Sequence, residues 1–409
     1  MTRRHDIDAL RVLAFGLLIF YHAGMLYVAP QSDWQGMPLH SAHMAEWLQY
    51  PMLFLNRWRM ELLFVISGMA VHFLRGKTGL PRLAWKRSVR LLLPLAFGML
   101  VVIPIQPYVQ GLSTHGVEPG FGRFLLRYWG GGPWPAGAFT GWQFGFTWNH
   151  LWYLPYVWLY TMVLLLLLPA LESPLGRRLC SACRGLRGPA LLIVPALPLF
   201  AWAIWLAPSY PFSGTLVGDW YAHALYGSCF FYGYLLGTHA DVWAELAKRR
   251  RISLTLALGS FALFTFLERF AGDFLGPSLS PMLLSSTKLM IVWLHCLYCW
   301  TAIATVLGWG HAYLNRPFRW LPYAREAVYP WYILHQSLLL LFAWQLMPLR
   351  LGPIGEPLLI LLGTVGGCAL LHEYVIRRSD WLRPLFGLDA RRTAPPPRLV
   401  IHSTAEDVA

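Results

Sequence analysis

The chain carries a histidine inside its first long apolar stretch, where an ionisable side chain is energetically expensive. His22 lies past the middle of this stretch, which runs over about 9–28, and a charged group at the centre of a membrane helix costs at least about 2.5 kcal/mol. An imidazole titrates near neutral pH and can therefore remove the proton of a hydroxyl group as a general base. We interpret His22 as the candidate catalytic base. A histidine that only packs between helices is the alternative interpretation.

Two more ionisable residues inside apolar stretches are candidates to act with His22. Glu61 lies in the second stretch and His335 in the ninth, and we predict that both tune the imidazole, much as a carboxylate supports the base of a catalytic triad. Arg59 lies two residues before Glu61, and this spacing places the two side chains on different faces of a helix. We expect Arg59 to bind a negatively charged group of the substrate.

Three arginines form a second candidate site, which suits phosphates. Arg87 and Arg90 are three residues apart at the start of the third apolar stretch, so they share a helix face from which guanidinium groups could bind phosphate oxygens. Arg11 precedes His22 by eleven residues, which is about 16 Å of helix. We predict that the three arginines hold an anionic donor. Ordinary cytoplasmic charge bias and snorkelling of Arg11 to lipid phosphates are the alternatives.

Residues near the predicted outer surface complete the candidate site. His150 and Trp152 open the fourth apolar stretch, and Tyr332 lies three residues before His335, on the same helix face. We predict that His150, Trp152 and Tyr332 contact the substrate. The preceding loop, about 110–149, is interpreted either as an interfacial aromatic belt or as a sugar-binding lip. Its aromatic residues include Tyr128, Trp129, Trp134, Trp142 and Trp148.

Membrane helices must position these groups, because the composition excludes a soluble fold. Hydrophobic residues make up 56% of the 409 residues and charged residues only 13%, about half the charged share of a soluble domain. Ten apolar stretches are long enough to cross a hydrocarbon core about 30 Å thick. They lie at about 9–28, 51–74, 91–109, 150–170, 189–207, 219–238, 252–270, 282–308, 327–347 and 354–376.

A cytoplasmic N-terminus best explains the distribution of cations. Most of the 33 Lys and Arg residues then lie on the inside, and only Arg123, Arg127 and Arg350 lie in outside loops, as the positive-inside rule requires. The net charge of +14 therefore does not indicate nucleic-acid binding. We predict an all-α polytopic membrane protein with ten transmembrane helices, both termini cytoplasmic, a membrane domain at 1–376 and a disordered basic tail at 377–409. No metal is expected, because Cys180-x-x-Cys183 lies in a predicted cytoplasmic loop and Cys296-x-x-Cys299 within the eighth stretch, too far apart to share a zinc ion.

Five motifs occur along the chain in a definite order. They are Asp8-x-x-Arg11 followed by His22, Phe64-Val65-Ile66-Ser67-Gly68, Arg87-x-x-Arg90 with Pro94, His150-Leu151-Trp152-Tyr153-Leu154, and Tyr332-x-x-His335. This ordered set resembles the membrane acyltransferase-3 family, and the resemblance extends to about residue 376. It implies transfer of an acyl group from cytoplasmic acyl-CoA, a donor substrate rather than a bound cofactor, to hydroxyl groups of an extracytoplasmic or lipid-linked glycan.

Within that family, Arg59-Met60-Glu61 followed by Leu63-Phe64-Val65-Ile66-Ser67-Gly68 is similar to the branch of periplasmic glucan succinyltransferases. The branch implies succinyl-CoA or acetyl-CoA as donor, a periplasmic glucan as acceptor and a bacterial inner-membrane location. The implied partners are the lipid bilayer, acyl-CoA, the glycan and other proteins of envelope-glycan biosynthesis, without nucleic acid. A proton-coupled exporter of a glycan or organic acid is the main alternative function, and a structural scaffold is the third.

Overall fold

The computed structural model describes residues 4–29, 37–75, 79–237, 239–275 and 281–390 of the chain. Every regular element in these ranges is helical, as predicted, and none is a strand. Two π-helical segments, Gly98–Val102 and Leu371–Ile376, interrupt the helices. The α-helices are α1 (His5–Met25), α2 (Gln49–Asn56), α3 (Arg59–Arg75), α4 (Leu80–Phe97), α5 (Ile105–Ser113), α6 (Phe121–Trp129), α7 (Tyr153–Leu171), α8 (Pro174–Arg184), α9 (Pro189–Ile193), α10 (Ala196–Trp205), α11 (Trp220–Leu236), α12 (Ala240–Leu275), α13 (Pro281–Leu314), α14 (Leu321–Leu346), α15 (Gly352–Leu370) and α16 (Leu382–Leu385).

Within the described ranges, six helices are long and apolar enough to cross a membrane, or up to eight if each of two bent pairs is one span. The predicted number of ten is not confirmed, and the cytoplasmic placement of both termini stays a prediction. The second predicted stretch divides between α2 and α3, the sixth folds as α11, and α3 and α11 have 17 residues each. Such a helix is about 25 Å long, short of a hydrocarbon core about 30 Å thick.

Proline and glycine explain the bends in the two pairs of helices. The first pair overlaps the predicted stretch 91–109, and the second overlaps the stretch 189–207 and the loop before it. The first pair, α4 and α5, bends by 46° where the π-helical segment meets Pro104. The second pair bends by 103° between α8 and α9, where Gly188 has a φ of 61° and Pro189 begins the next helix. Proline cannot donate a backbone hydrogen bond to the preceding turn. Apolar composition alone does not reveal such breaks.

Two glycines let α3 and α11 approach each other closely. A Cβ atom on Gly68 would lie 1.8 Å from the carbonyl oxygen of Phe230, and one on Gly233 would lie 1.8 Å from that of Val65. Only a residue without a side chain fits either position, as is typical of close helix pairs in membranes. This contact fixes α3, the helix that carries Arg59 and Glu61.

The first helix lies where several others meet. α1 packs against α3, α13, α14 and α15. Arg11, Phe15, Leu18 and His22 follow each other along α1 at intervals of four, three and four residues, so they form one continuous face. This face runs from the predicted cytoplasmic end of the helix towards its outer end, and the candidate groups lie along it.

The predicted tail is only partly described. After the last π-helical segment, α16 packs against α4, and the ring centroids of Phe386 and Phe97 are 5.3 Å apart. The remainder of the predicted tail, from residue 391, lies outside the described residues.

Candidate active site

A cavity of about 1380 Å³ lies between α1, α3, α10, α11, α13 and α14. It is larger than most small-molecule pockets, which measure about 300–1,000 Å³. Its wall includes residues 140–141, 144, 146–150 and 211–215, which belong mainly to loops that are predicted to lie outside. Six predicted site residues line it: His22, Arg59, Glu61, His150, Trp152 and Tyr332.

His22 and His335 form a hydrogen-bonded imidazole pair. His22 Nδ1 lies 2.9 Å from His335 Nε2, and the two ring planes are nearly parallel, at 8°. His335 is fully buried, and its Nδ1 lies 2.7 Å from the carbonyl oxygen of Tyr332. A carbonyl only accepts, so His335 Nδ1 carries the proton and, with both rings neutral, Nε2 accepts from His22 Nδ1–H. This leaves the lone pair on His22 Nε2, the arrangement that a general base requires.

His150 differs from His22 because both of its ring nitrogens have protein partners. Nε2 lies 3.0 Å from the carbonyl oxygen of Tyr332, and Nδ1 lies 3.0 Å from Gln106 Nε2. The Tyr332 hydroxyl donates in return to the carbonyl oxygen of His150, at 2.8 Å. These bonds fasten the start of α7 to α14 and position Tyr332. The predicted substrate contact of His150 stays a prediction.

Arg59 carries unused hydrogen-bond donors into the cavity. Its side chain is 3% exposed, and its guanidinium lies over the Tyr21 ring, 3.7 Å from the centroid. Its Nε and Nη1 are buried without a hydrogen-bond partner among the described residues. Tyr21 and Glu61 are its electrostatic neighbours, but buried donors that lack a hydrogen bond still carry a desolvation penalty, which an anionic ligand would offset.

Glu61 also lines the cavity, but it is not the hydrogen-bond partner of His22. Glu61 is 6% exposed, and its Oε2 has no hydrogen-bond partner within the described ranges. The hydrogen bond that orients His22 is instead the one that it donates to His335. Of the two residues predicted to tune the imidazole, therefore, only His335 contacts it directly.

Most aromatic residues of the 110–149 loop face away from the cavity. Tyr128 and Trp134 lie in the buried core of a small cap formed by α5, α6 and the following loop. Trp129 donates to the carbonyl oxygen of Leu100, at 2.9 Å. Of the five aromatic residues considered for a sugar-binding lip, only Trp148 lines the cavity, where Phe144 and Phe146 join it.

The three predicted phosphate-binding arginines lie together but outside this cavity. Arg87 has Arg11 and Arg90 as electrostatic neighbours, and its Nε and Nη2 have no hydrogen-bond partner among the described residues. Arg11 forms an ion pair with Asp8 at 3.1 Å, while its Nε is buried without a described partner. The fold therefore gathers three cations from α1 and α4 into one cluster, the inner arginine cluster.

Comparison with known families assigns the chain. A family model described as an acyltransferase domain matches residues 4–373 of the 409. The chain belongs to the acyltransferase-3 family. Comparison with the curated proteins and with the solved structures gives no match.

Membership of the acyltransferase-3 family, together with several apolar helices, supports a multi-pass membrane acyltransferase. It favours an enzyme over the exporter and the scaffold that the composition also allows. The match spans His22, the arginine cluster and His335, so both groups of candidate residues lie within the acyltransferase-3 domain.

Other polar side chains line the same cavity of this acyltransferase-3 domain and were not predicted as site residues. They include Arg57, His295 and Gln336. His295 lies inside the eighth apolar stretch, so it carried the same signal as His22, an ionisable group where the membrane makes it expensive. Within the described ranges, no group of three or more His, Cys, Asp or Glu side chains is placed to hold a metal ion.

Proposed function

We propose that this protein transfers a succinyl or acetyl group from cytoplasmic acyl-CoA to a hydroxyl group of an extracytoplasmic or lipid-linked glycan, for which a periplasmic glucan is the best candidate. The observation that carries the proposal is the imidazole pair, in which His335 fixes the ring of His22 and leaves Nε2 as an acceptor in a large cavity. Membership of the acyltransferase-3 family supports the reaction class. The resemblance to glucan succinyltransferases supports the choice of acceptor.

In the general-base route, His22 Nε2 takes the proton of the acceptor hydroxyl as its oxygen attacks the thioester carbonyl carbon. A carbon–oxygen bond forms and the carbon–sulfur bond breaks. The departing CoA thiolate then takes the proton from the imidazolium, so that the products are a glycan ester and CoA with a free thiol. The hydrogen bond to His335 keeps the imidazole oriented during both proton transfers.

In the acyl-histidine route, His22 Nε2 itself attacks the thioester carbonyl carbon and the carbon–sulfur bond breaks. The proton on Nδ1 is lost as the acyl-imidazole forms, and the CoA thiolate becomes the thiol. The glycan hydroxyl then attacks the acyl-imidazole, and the imidazole returns to its neutral form. Rapid quenching with a denaturant at neutral pH, during turnover of a donor with a labelled acyl group, separates the routes, because only this one leaves the label on the protein.

Arg59 supports succinyl as the acyl group. Its Nε and Nη1 have no described partner and its side chain lines the same cavity as His22. A guanidinium fork matches the geometry of a carboxylate, which a succinyl group has and an acetyl group lacks. The nearby cation Arg57 also lines the cavity and would add to the attraction.

The inner arginine cluster suits the phosphates of CoA. Arg87 and Arg11 each have guanidinium nitrogens without a described hydrogen-bond partner, and Arg90 is more than half exposed. Arg11 and Arg90 also pair with Asp8 and Asp389, so the guanidinium nitrogens that remain without a described partner are the ones that would bind phosphate oxygens. In this proposal the cluster holds the nucleotide end of the donor while the thioester reaches the cavity.

CoA release from the purified, detergent-solubilised protein tests the proposal. Succinyl-CoA or acetyl-CoA is supplied with and without glucan, beside His22→Ala and a control, His43→Ala, whose histidine does not line the cavity. We expect glucan-dependent release from the wild type and from His43→Ala, and none from His22→Ala. Equal release from His22→Ala would overturn the assignment of His22, and folded protein that does not bind CoA would favour the exporter.

A further inference from the structure

The inner arginine cluster and the histidine cavity lie at different depths of the same helices. On α1, Phe15 is four residues beyond Arg11 and seven before His22, all on one helix face. On α14, the Tyr329 hydroxyl donates to the carbonyl oxygen of Arg90 at 3.2 Å, whereas His335 meets His22. Tyr332 lies between those two positions. The two polar regions are therefore separated by one layer of side chains.

Three aromatic rings make up that layer. The ring centroids of Phe15 and Tyr332 are 5.0 Å apart, those of Tyr153 and Tyr332 are 6.2 Å apart, and those of Phe15 and Tyr153 are 6.4 Å apart. Each ring thus contacts the other two. Tyr153 and Tyr332 are almost fully buried, and Tyr332 forms part of the cavity wall.

A hydrogen-bond pair holds Tyr153 in this layer. Its hydroxyl donates to the carbonyl oxygen of Leu63, at 3.1 Å, and lies 2.6 Å from Ser67 Oγ. Because the tyrosine proton goes to the carbonyl, the Ser67 hydroxyl donates to the tyrosine oxygen. The same hydroxyl has Arg11 and Arg87 as electrostatic neighbours. Tyr153 therefore borders the arginine cluster while its ring faces Tyr332.

We infer that Phe15, Tyr153 and Tyr332 form a partition between the arginine cluster and the histidine cavity, and that the thioester arm of the donor crosses the membrane domain at this point. The Ser67–Tyr153 bond holds the partition closed in the absence of donor. The role of the partition in passing the thioester arm rests on the proposed acyl transfer. The separation of the two polar regions by the three rings does not depend on that proposal. A closed partition keeps water of the outer cavity away from the thioester until the rings separate, so that the acyl group goes to the glycan instead of being hydrolysed.

Thiol labelling tests the partition without relying on catalysis. His22→Cys is placed in a variant whose six native cysteines are replaced by serine or alanine, and a membrane-impermeant maleimide is applied to either face of sealed vesicles. We expect labelling from one face only, the face on which the cavity opens. Adding Phe15→Ala should abolish this sidedness, because it removes one of the three rings. The matched control is Leu13→Ala, since Leu13 is on the same helix and 48% exposed.

The outcomes separate this inference from the proposed function. Labelling of His22→Cys from both faces, or unchanged sidedness in Phe15→Ala, would overturn the partition even in an active acyltransferase. Lost sidedness in Phe15→Ala but not in Leu13→Ala would support it even without CoA release. With an active enzyme, Ser67→Ala should raise acceptor-independent CoA release relative to Leu13→Ala, whereas a purely structural serine would lower release with and without acceptor alike.

Discussion

His22 and His150 lie on two sides of His335, and the fold gives them opposite hydrogen-bond states. His150 makes an edge contact with the His335 ring, at 5.1 Å between centroids, and has protein partners on both nitrogens. His22 has its hydrogen bond to His335 on one nitrogen, and the tautomer places a lone pair on the other. A buried histidine with both nitrogens bonded joins parts of a structure, whereas one with a free nitrogen in a cavity can do chemistry. The comparison teaches that hydrogen-bond state, more than burial, separates the two roles.

The largest expected effect belongs to His22. His22→Ala should lower the rate of acceptor-dependent CoA release by about 10²–10⁴-fold, the usual contribution of a general base. The protein should remain folded, because His22 lines a cavity instead of filling a packed core. Stopped-time assays of free thiol, with thermal unfolding in detergent as the control for folding, check this. A loss below about tenfold would place the base elsewhere.

His335 sharpens the comparison, because it is hydrogen-bonded to His22 and is not among the residues that line the cavity. His335→Ala removes the partner that fixes the tautomer, so we expect a loss of about 10²-fold, at the lower end of the range for a general base. The double variant His22→Ala/His335→Ala should be no slower than His22→Ala alone, since residues that act as a unit are not additive. Additive losses in this cycle would show that the two imidazoles act separately.

The same comparison of hydrogen-bond partners can be made between two arginines, Arg383 and Arg59. Arg383 donates to Glu326 and to two carbonyl oxygens, while Arg59 has two nitrogens without a described partner. If Arg59 binds the succinyl carboxylate, Arg59→Gln should lower the preference for succinyl-CoA over acetyl-CoA by about tenfold or more, since a hydrogen bond to a charged group contributes about 1.5–3 kcal/mol. Rates with the two donors measure the ratio. Equal losses with both would assign Arg59 to the oxyanion instead.

The smallest effect on activity is expected at His150. His150→Ala leaves Gln106 with one of its two acceptors, Ser337, and removes one donor to the Tyr332 carbonyl, so it should destabilise the protein by about 1–3 kcal/mol. The rate per folded molecule should fall only a few-fold, because no free nitrogen is lost. Thermal unfolding and the rate of CoA release, measured on one preparation, check both parts. A large rate loss without a change in unfolding would support the predicted substrate contact instead.

The sequence predicts which residues are unusual but not which of them meet. His22, Arg59, Glu61 and His335 stand out because a membrane makes ionisable side chains expensive, and all but His335 line the cavity. The pairing of His22 with His335 joins residues 313 positions apart, and only the packing of α1 on α14 brings it about. Glu61 was an equally reasonable partner from the sequence, and the fold places it out of hydrogen-bonding contact with His22.

The lengths of the helices and the packing of the loop aromatic residues could not be predicted from the sequence, for a similar reason. Apolar length does not distinguish a full span from the 17-residue helices α3 and α11, whose close contact depends on Gly68 and Gly233. Composition shows that the 110–149 loop is aromatic, but it does not show that Tyr128 and Trp134 point into the core of a cap. Both features are set by tertiary packing.

The measurement that tests the central claim most directly is transfer of a labelled succinyl group to glucan by His22→Ala, His150→Ala and the wild type in parallel, corrected for folded protein. The account predicts that the label appears on glucan with the wild type and with His150→Ala and is absent with His22→Ala. Transfer that survives in His22→Ala, or that is lost equally in both variants, would contradict the claim that the free nitrogen of His22 carries the chemistry.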